Sequence, residues 1–220
     1  MVQPGDLKPG QPRLLETDRK RDEALSELRA ALFFQRYGFT VFDWEPKGEG
    51  NHKGEFRIER RGEPSIFVEV KSPGWEAQIF DEERRKARSK EPKFLPGTVE
   101  GSAVGTWEQL RECIKNNAYP KFAVSNANLL VITDDFKPPL DKTMVDIALY
   151  EQHHRDGDEN EVGYFTSDQF ERLGGIVVLQ LQFSKSSPFV HYSYDFYPNP
   201  NALIPLPASL QGIADRATEL

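Results

Sequence analysis

The six residues Ile66-Phe67-Val68-Glu69-Val70-Lys71 constrain this chain more than any other stretch. β-branched and aromatic residues suit a pleated strand, and a nearly unbroken apolar run suits one that is covered on both faces. Side chains alternate along a strand, so Phe67, Glu69 and Lys71 share one face while Val68 and Val70 point the other way. A buried strand that ends with an acid and a base on one face has to offset the cost of taking charge out of water. The fold must therefore cover this strand and build something polar at its end.

The neighbouring sequence supplies the cover. Residues 1–16 are rich in Pro and Gly and read as a flexible N-terminal arm. From Asp18 to Tyr37 the pattern is helical, with Leu25, Leu28 and Leu32 at i, i+3 and i+7, and Ala24 and Ala31 beside them. Gly38 follows where a left-handed cap is wanted. Phe39–Trp44, Glu55–Arg60 and Ser65–Lys71 read as three strands, and Arg61-Gly62-Glu63-Pro64 is the turn that makes the last two a hairpin. A charged excursion, 72–105, holds Arg84, Arg85, Lys86 and Arg88 on a stretch of helical character. Thr106 and Gln109 form a capping box that opens a helix with Trp107, Leu110 and Ile114 on one face, ended at the latest by Pro120. Asn128–Thr133 is a continuous apolar strand, and Gly175–Phe183 and Phe189–Phe196 are two more. The expected architecture is a single α/β domain over 17–197. It has a mixed central sheet flanked by helices, core order α-β-β-β-α-β, a β-rich C-terminal extension, and a tail over 198–220.

Composition narrows the setting. No apolar run approaches the ~20 residues of a membrane helix, the first residues carry no basic-then-apolar signal pattern, and the lone Cys113 has no internal disulfide partner. A cytoplasmic protein without membrane contact is expected. The net charge of −7 argues against coating nucleic acid through bulk charge, but a local basic stripe is compatible with it.

The hairpin also brings two acids together. In an antiparallel pair the start of one strand lies beside the end of the next, which puts Glu55 next to Glu69. Hard cations such as Mg²⁺ or Mn²⁺ take carboxylate oxygens, carbonyls and waters. A lysine on the same face as the acids can orient or deprotonate a water and stabilise negative charge in a transition state. Two other Glu-x-Lys triplets, Glu45-Pro46-Lys47 and Glu91-Pro92-Lys93, have proline in the middle and suit loops or edges. Only the triplet at 69–71 closes an apolar strand.

From Ser26 to about Thr133 the chain resembles the PD-(D/E)XK nuclease superfamily, the restriction-endonuclease-like fold. The matching parts are Gln35-Arg36-Tyr37-Gly38-Phe39, Lys53-Gly54-Glu55-Phe56, Phe67-Val68-Glu69-Val70-Lys71 and Leu129-Leu130-Val131-Ile132. The resemblance implies a Mg²⁺- or Mn²⁺-dependent phosphodiesterase acting on nucleic acid, with DNA favoured over RNA. It implies Glu55, Glu69 and the Val70 carbonyl as metal ligands and Lys71 as the residue acting on water. It also implies an assisting acid on the first helix, Glu27, with Glu23 one turn earlier as the alternative. Arg84, Arg85, Lys86 and Arg88, just after the site, are the candidate phosphate contacts. The family usually has Asp where this chain has Glu55, and the extra methylene moves the metal's seat. Double-strand cutting by a one-site chain would call for a homodimer or a larger complex. The alternative from another class is a catalytically impaired domain of this fold, serving as a binding or scaffold module in DNA defence or repair. Asp156-x-Asp158-x-Asn160 begins like a calcium loop, but Glu161 stands where glycine is required, and a solvated acidic loop is expected there.

Overall fold

Helix α1 runs from Asp18 to Arg36, but its buried stripe is not the leucine one. Ser26, Glu27, Ala30, Ala31, Phe33 and Phe34 are buried, whereas Leu32 is 50% exposed. Small residues let the helix approach the sheet closely, and the phenylalanines fill the space at its end. The computed structural model that gives this arrangement describes residues 18–71, 106–134, 140, 142–151, 162–183 and 190–213. The expected arm, the basic residues Arg84, Arg85, Lys86 and Arg88, and the acidic loop around Asp156 lie outside them.

Gly38 ends α1 as its position suggests. Its φ is +85°, its N–H donates to the Gln35 carbonyl, and the Phe39 N–H reaches back to Phe34, which closes the last turn's orphan carbonyls. Strands β1 (Thr40–Phe42), β2 (Phe56–Glu59) and β3 (Ile66–Lys71) follow. The β2–β3 turn uses Gly62 at φ +85° and a hydrogen bond from the Glu63 N–H to the Arg60 carbonyl.

Helix α2 (Thr106–Glu112) does not simply stop at the proline. It passes into a π-helical stretch, Cys113–Ala118, and then a 3₁₀ turn, Tyr119–Lys121, that accommodates Pro120. Strand β4 (Ala127–Asp134), helix α3 (Lys142–Leu149) and strands β5 (Gly175–Phe183) and β6 (Val190–Pro198) complete the set. The sheet order is β1-β2-β3-β4-β5-β6. β1, β2 and β3 are antiparallel, β3, β4 and β5 are parallel, and β6 returns antiparallel to β5. The protein is thus α/β, with a mixed, open, six-stranded sheet.

Both faces of the sheet are covered, as an inner parallel pair requires. Ile66, Val68 and Val70 pack with α1 in one core. Phe67 joins Leu110, Ile114, Phe122, Val145 and Leu149 in the other, under α2 and α3. The alternation expected of β3 therefore holds on both faces.

The segment expected as a tail is docked at least as far as Ile213. The Asn199 amide donates to the Phe170 and Leu173 carbonyls at 3.1 and 2.8 Å, and Asn201 donates to Phe165. The Leu203 N–H reaches the Glu171 carbonyl, Ser209 Oγ bonds Glu63, and Leu210 and Ile213 are buried. Asparagine amides here satisfy loop carbonyls that no strand reaches, so this stretch belongs to the domain. Among the described residues no helix is long and apolar enough to cross a membrane.

Candidate functional site

The acid and base of β3 sit at one corner of the sheet and face α2. Glu69 is fully buried, and Lys71 Nζ lies 2.7 Å from its Oε1. The strand end that carries them is held by β4: Lys71 pairs with Ile132, and buried Thr133 donates its hydroxyl to the Lys71 carbonyl at 3.3 Å. Across the hairpin, Phe56 is the register partner of Val68, and the Glu55 N–H donates to the Val68 carbonyl at 3.0 Å. This delivers the Glu55 carboxylate close enough to Glu69 to raise its proton affinity.

A third element completes the corner, and it was not anticipated. Lys121, last residue of the 3₁₀ turn, puts Nζ 2.5 Å from Glu69 Oε1 and 4.0 Å from Glu55 Oε1. Its backbone is clamped by the β1–β2 connection, where the Glu49 N–H donates to the Lys121 carbonyl at 3.0 Å. Gly48 makes that approach feasible, because a Cβ there would stand 2.2 Å from the Lys121 carbonyl oxygen. On the far side the Phe122 carbonyl accepts from Arg172, whose guanidinium stacks over Tyr119. Sequence offered one cue, a lysine directly after the proline that ends a helix, and it was read only as a terminator.

Two carboxylates and two ammonium groups thus form one cluster. Burial raises the Glu69 carboxyl's hold on a proton, and Lys71 and Lys121 oppose it. For Lys71 burial acts downward, but the Glu69 charge and hydrogen bond outweigh it, with smaller upward pulls from Cys113 and Glu55, so its net shift is upward. Burial leaves Glu69 above the ordinary carboxylate range, and the two ammonium groups converging on its Oε1 are what favour the ionised form. Lys71 therefore stays protonated across the neutral range and donates rather than abstracts a proton.

The sign of the linkage follows. A lysine whose folded pKa exceeds the ordinary 10.5 stabilises fully below that value, and loses the contribution as pH rises through the higher folded one. Thermal unfolding followed between pH 8 and 12 should show an alkaline loss of stability, smaller in Lys71→Met than in the wild type. Equal losses in the two proteins would contradict the upward shift.

Glu27 sits on the buried stripe of α1, 7% exposed, and is not a solvated surface acid. That stripe packs on the Val68/Val70 face, opposite Glu69 and Lys71. The charges acting on Glu69 are Lys71, Lys121 and Glu55. The structure brings together Glu55, Glu69 and Lys71, with Val70 between the last two, and sets Glu27 on the other layer. Glu23 lies one turn earlier on the same helix. Cys113, at the start of the π-helical stretch, is buried and within electrostatic reach of Lys71.

Among the described residues no group of three or more His, Cys, Asp or Glu side chains gathers as a metal cage. The donor set at the corner is sparser: two glutamates and a strand carbonyl. It still suits a hard cation, because such ions are often held by one or two carboxylates, with water and substrate completing the shell. The specific sign of fit is Glu69 Oε2, which is buried and has no hydrogen-bond partner among the described residues. A carboxylate oxygen left bare inside a protein is costly, and a divalent cation would satisfy it.

No protein-family profile, curated protein or solved structure matches the chain.

Proposed function

We propose that the chain is a metal-dependent nuclease of restriction-endonuclease-like architecture, hydrolysing phosphodiester bonds, with DNA as the preferred substrate. The observation that carries this reading is the corner itself. Glu55 and Glu69 meet beside Lys71 at the end of a buried strand, and Glu69 Oε2 has no partner among the described residues. The helix-strand order α1-β1-β2-β3-α2-β4, with β3 and β4 parallel, supports the architecture.

Glu55, Glu69 and the Val70 carbonyl would hold Mg²⁺ or Mn²⁺. When bound, the ion supplies Lewis acidity that neutralises charge on the phosphate and acidifies water. Lys71, kept protonated by Glu69, orients the attacking water through its lone pair and donates to a non-bridging phosphate oxygen as charge develops. Water adds to phosphorus and releases a proton to solvent, the bond to the leaving ester oxygen breaks, and that oxygen takes a proton from solvent. Glu69 would thereby have two tasks: Oε1 fixes Lys71, and Oε2 would be left to help hold the ion.

The test is a substrate panel. Wild type and Glu69→Gln, each checked for folding by circular dichroism, are incubated with plasmid, single-stranded DNA and RNA in Mg²⁺ or Mn²⁺. Cleavage by wild type that disappears in the variant is expected, with DNA cut faster than RNA. Identical background from both proteins on every substrate would sink the nuclease reading. The charge balance of the cluster favours one other reading, a binding module without catalysis. Nucleic-acid binding that persists without any Mn²⁺ uptake in calorimetry would select it.

A further inference from the structure

The cation seat between the two glutamates is already contested by a side chain of the chain itself. Lys121 Nζ lies against Glu69 Oε1 and within 4.0 Å of Glu55 Oε1, so an ammonium group spans one oxygen of each carboxylate that would grip a metal and leaves Glu69 Oε2 to the ion. Lys71 needs only Glu69. The site therefore holds one lysine more than the proposed water-orienting task requires, and that extra charge brings the cluster to neutrality.

The placement of Lys121 is built. Its carbonyl is fixed by Glu49, the glycine at 48 leaves room for that contact, and the neighbouring Phe122 is fully buried. The backbone is held from both sides while the side chain, about one-quarter exposed, keeps a route to solvent. A rigid base with an extendable arm suits a group that exchanges between two positions.

We propose that Lys121 is a resident counter-cation: it occupies the acid pair in the empty site, yields Glu69 and Glu55 when a divalent cation binds, and then faces the anionic oxygens of the phosphodiester. This rests on the metal-site reading above and adds the regulation of that site. Two consequences follow. In the empty state Lys121 offsets the repulsion of two facing acids that would otherwise weaken the hairpin. In the loaded state it supplies a second charge-assisted contact to substrate, beside the one from Lys71.

Calorimetric titration of metal-free protein with MnCl₂ tests it, using wild type, Lys121→Met and Lys121→Arg, each with thermal unfolding measured before and after metal. Removing the competitor should tighten Mn²⁺ binding in Lys121→Met by on the order of 10- to 100-fold, the scale on which neighbours of a metal site act. Lys121→Arg keeps the charge and should stay near wild type. The unfolding temperature of metal-free Lys121→Met should fall, and Mn²⁺ should restore it. The Michaelis constant for DNA should rise in the same variant at saturating Mn²⁺. If folded Lys121→Met and wild type bind Mn²⁺ equally, or the variant binds more weakly, the counter-cation proposal is overturned while the metal site stands. If Mn²⁺ binds Lys121→Met and not wild type, Lys121 is a lock that does not yield, and both the exchange and the nuclease reading of the native chain fail. If neither binds, both fail.

Discussion

Lys71→Met should lower the rate of phosphodiester cleavage at saturating Mn²⁺ by about 10²- to 10³-fold, the scale of losing one preorganised donor to a developing negative charge. The variant should keep its fold, because the methionine retains the aliphatic stem that packs at the end of β3 and loses only the ammonium. It should also keep Mn²⁺ binding, because Glu55, Glu69 and the Val70 carbonyl are all retained. Two features separate this from a structural defect. The loss should fall on kcat more than on KM, and the pH profile should lose no neutral limb, since a lysine held above its ordinary pKa is not the base that titrates there. A Lys71→Met protein with wild-type kcat would remove the lysine from the chemistry, and a neutral limb that vanished with it would restore it as a general base.

The second large effect is on stability. Phe67 shares the face of Glu69 and Lys71 and is 1% exposed. Its ring meets Phe122 edge-on, with centroids 6.1 Å apart. It also lies over the backbone of Gly54 so closely that a Cβ there would stand 2.3 Å from the ring tip. Phe67→Ala should destabilise the protein by about 3–5 kcal/mol, the usual cost of a large ring removed from a packed core, read from the shift of a urea unfolding midpoint at unchanged slope. The ring touches the loop that carries Glu55 and the turn that carries Lys121, so the loss should extend to the site. A loss below about 1 kcal/mol would mean that the surroundings collapse around the gap and that Phe67 does not brace the corner.

Much of this was legible from sequence where one short segment decided the outcome. The alternation of Phe67, Glu69 and Lys71 against Val68 and Val70 needed only strand geometry, and the Gly62 turn then dictated that Glu55 return beside Glu69. Gly38 marked the end of α1 because few other residues accept its backbone angle. The failures came where non-local packing decided. The spacing of Leu25, Leu28 and Leu32, with Ala31 beside them, suggests a buried stripe; Ala31 is buried, but close approach to the sheet favours Ala30 and Phe34 and leaves Leu32 outside. The Pro- and Asn-rich end of the chain suggested a tail, yet Asn199 and Asn201 supply donors to carbonyls on a distant loop. Lys121 was invisible for the same reason. Its partner is fifty-two positions away, and the π-helical stretch that aims it alters the helical phase from which its direction would be judged.

The parallel pairing of β3 with β4 has a consequence in time. β2 and β3 are joined by a tight turn and can meet early, whereas β4 reaches β3 only after the whole of 72–126 has been drawn into a closed loop. Local contacts form before distant ones because closure entropy must be overcome first. During synthesis and refolding, Glu55 and Glu69 are therefore brought face to face before Lys121 exists as a neighbour, with Lys71 alone to balance them. The Glu55–Glu69–Lys71 corner then carries one surplus negative charge, and it becomes neutral only when the crossover docks Lys121 against it.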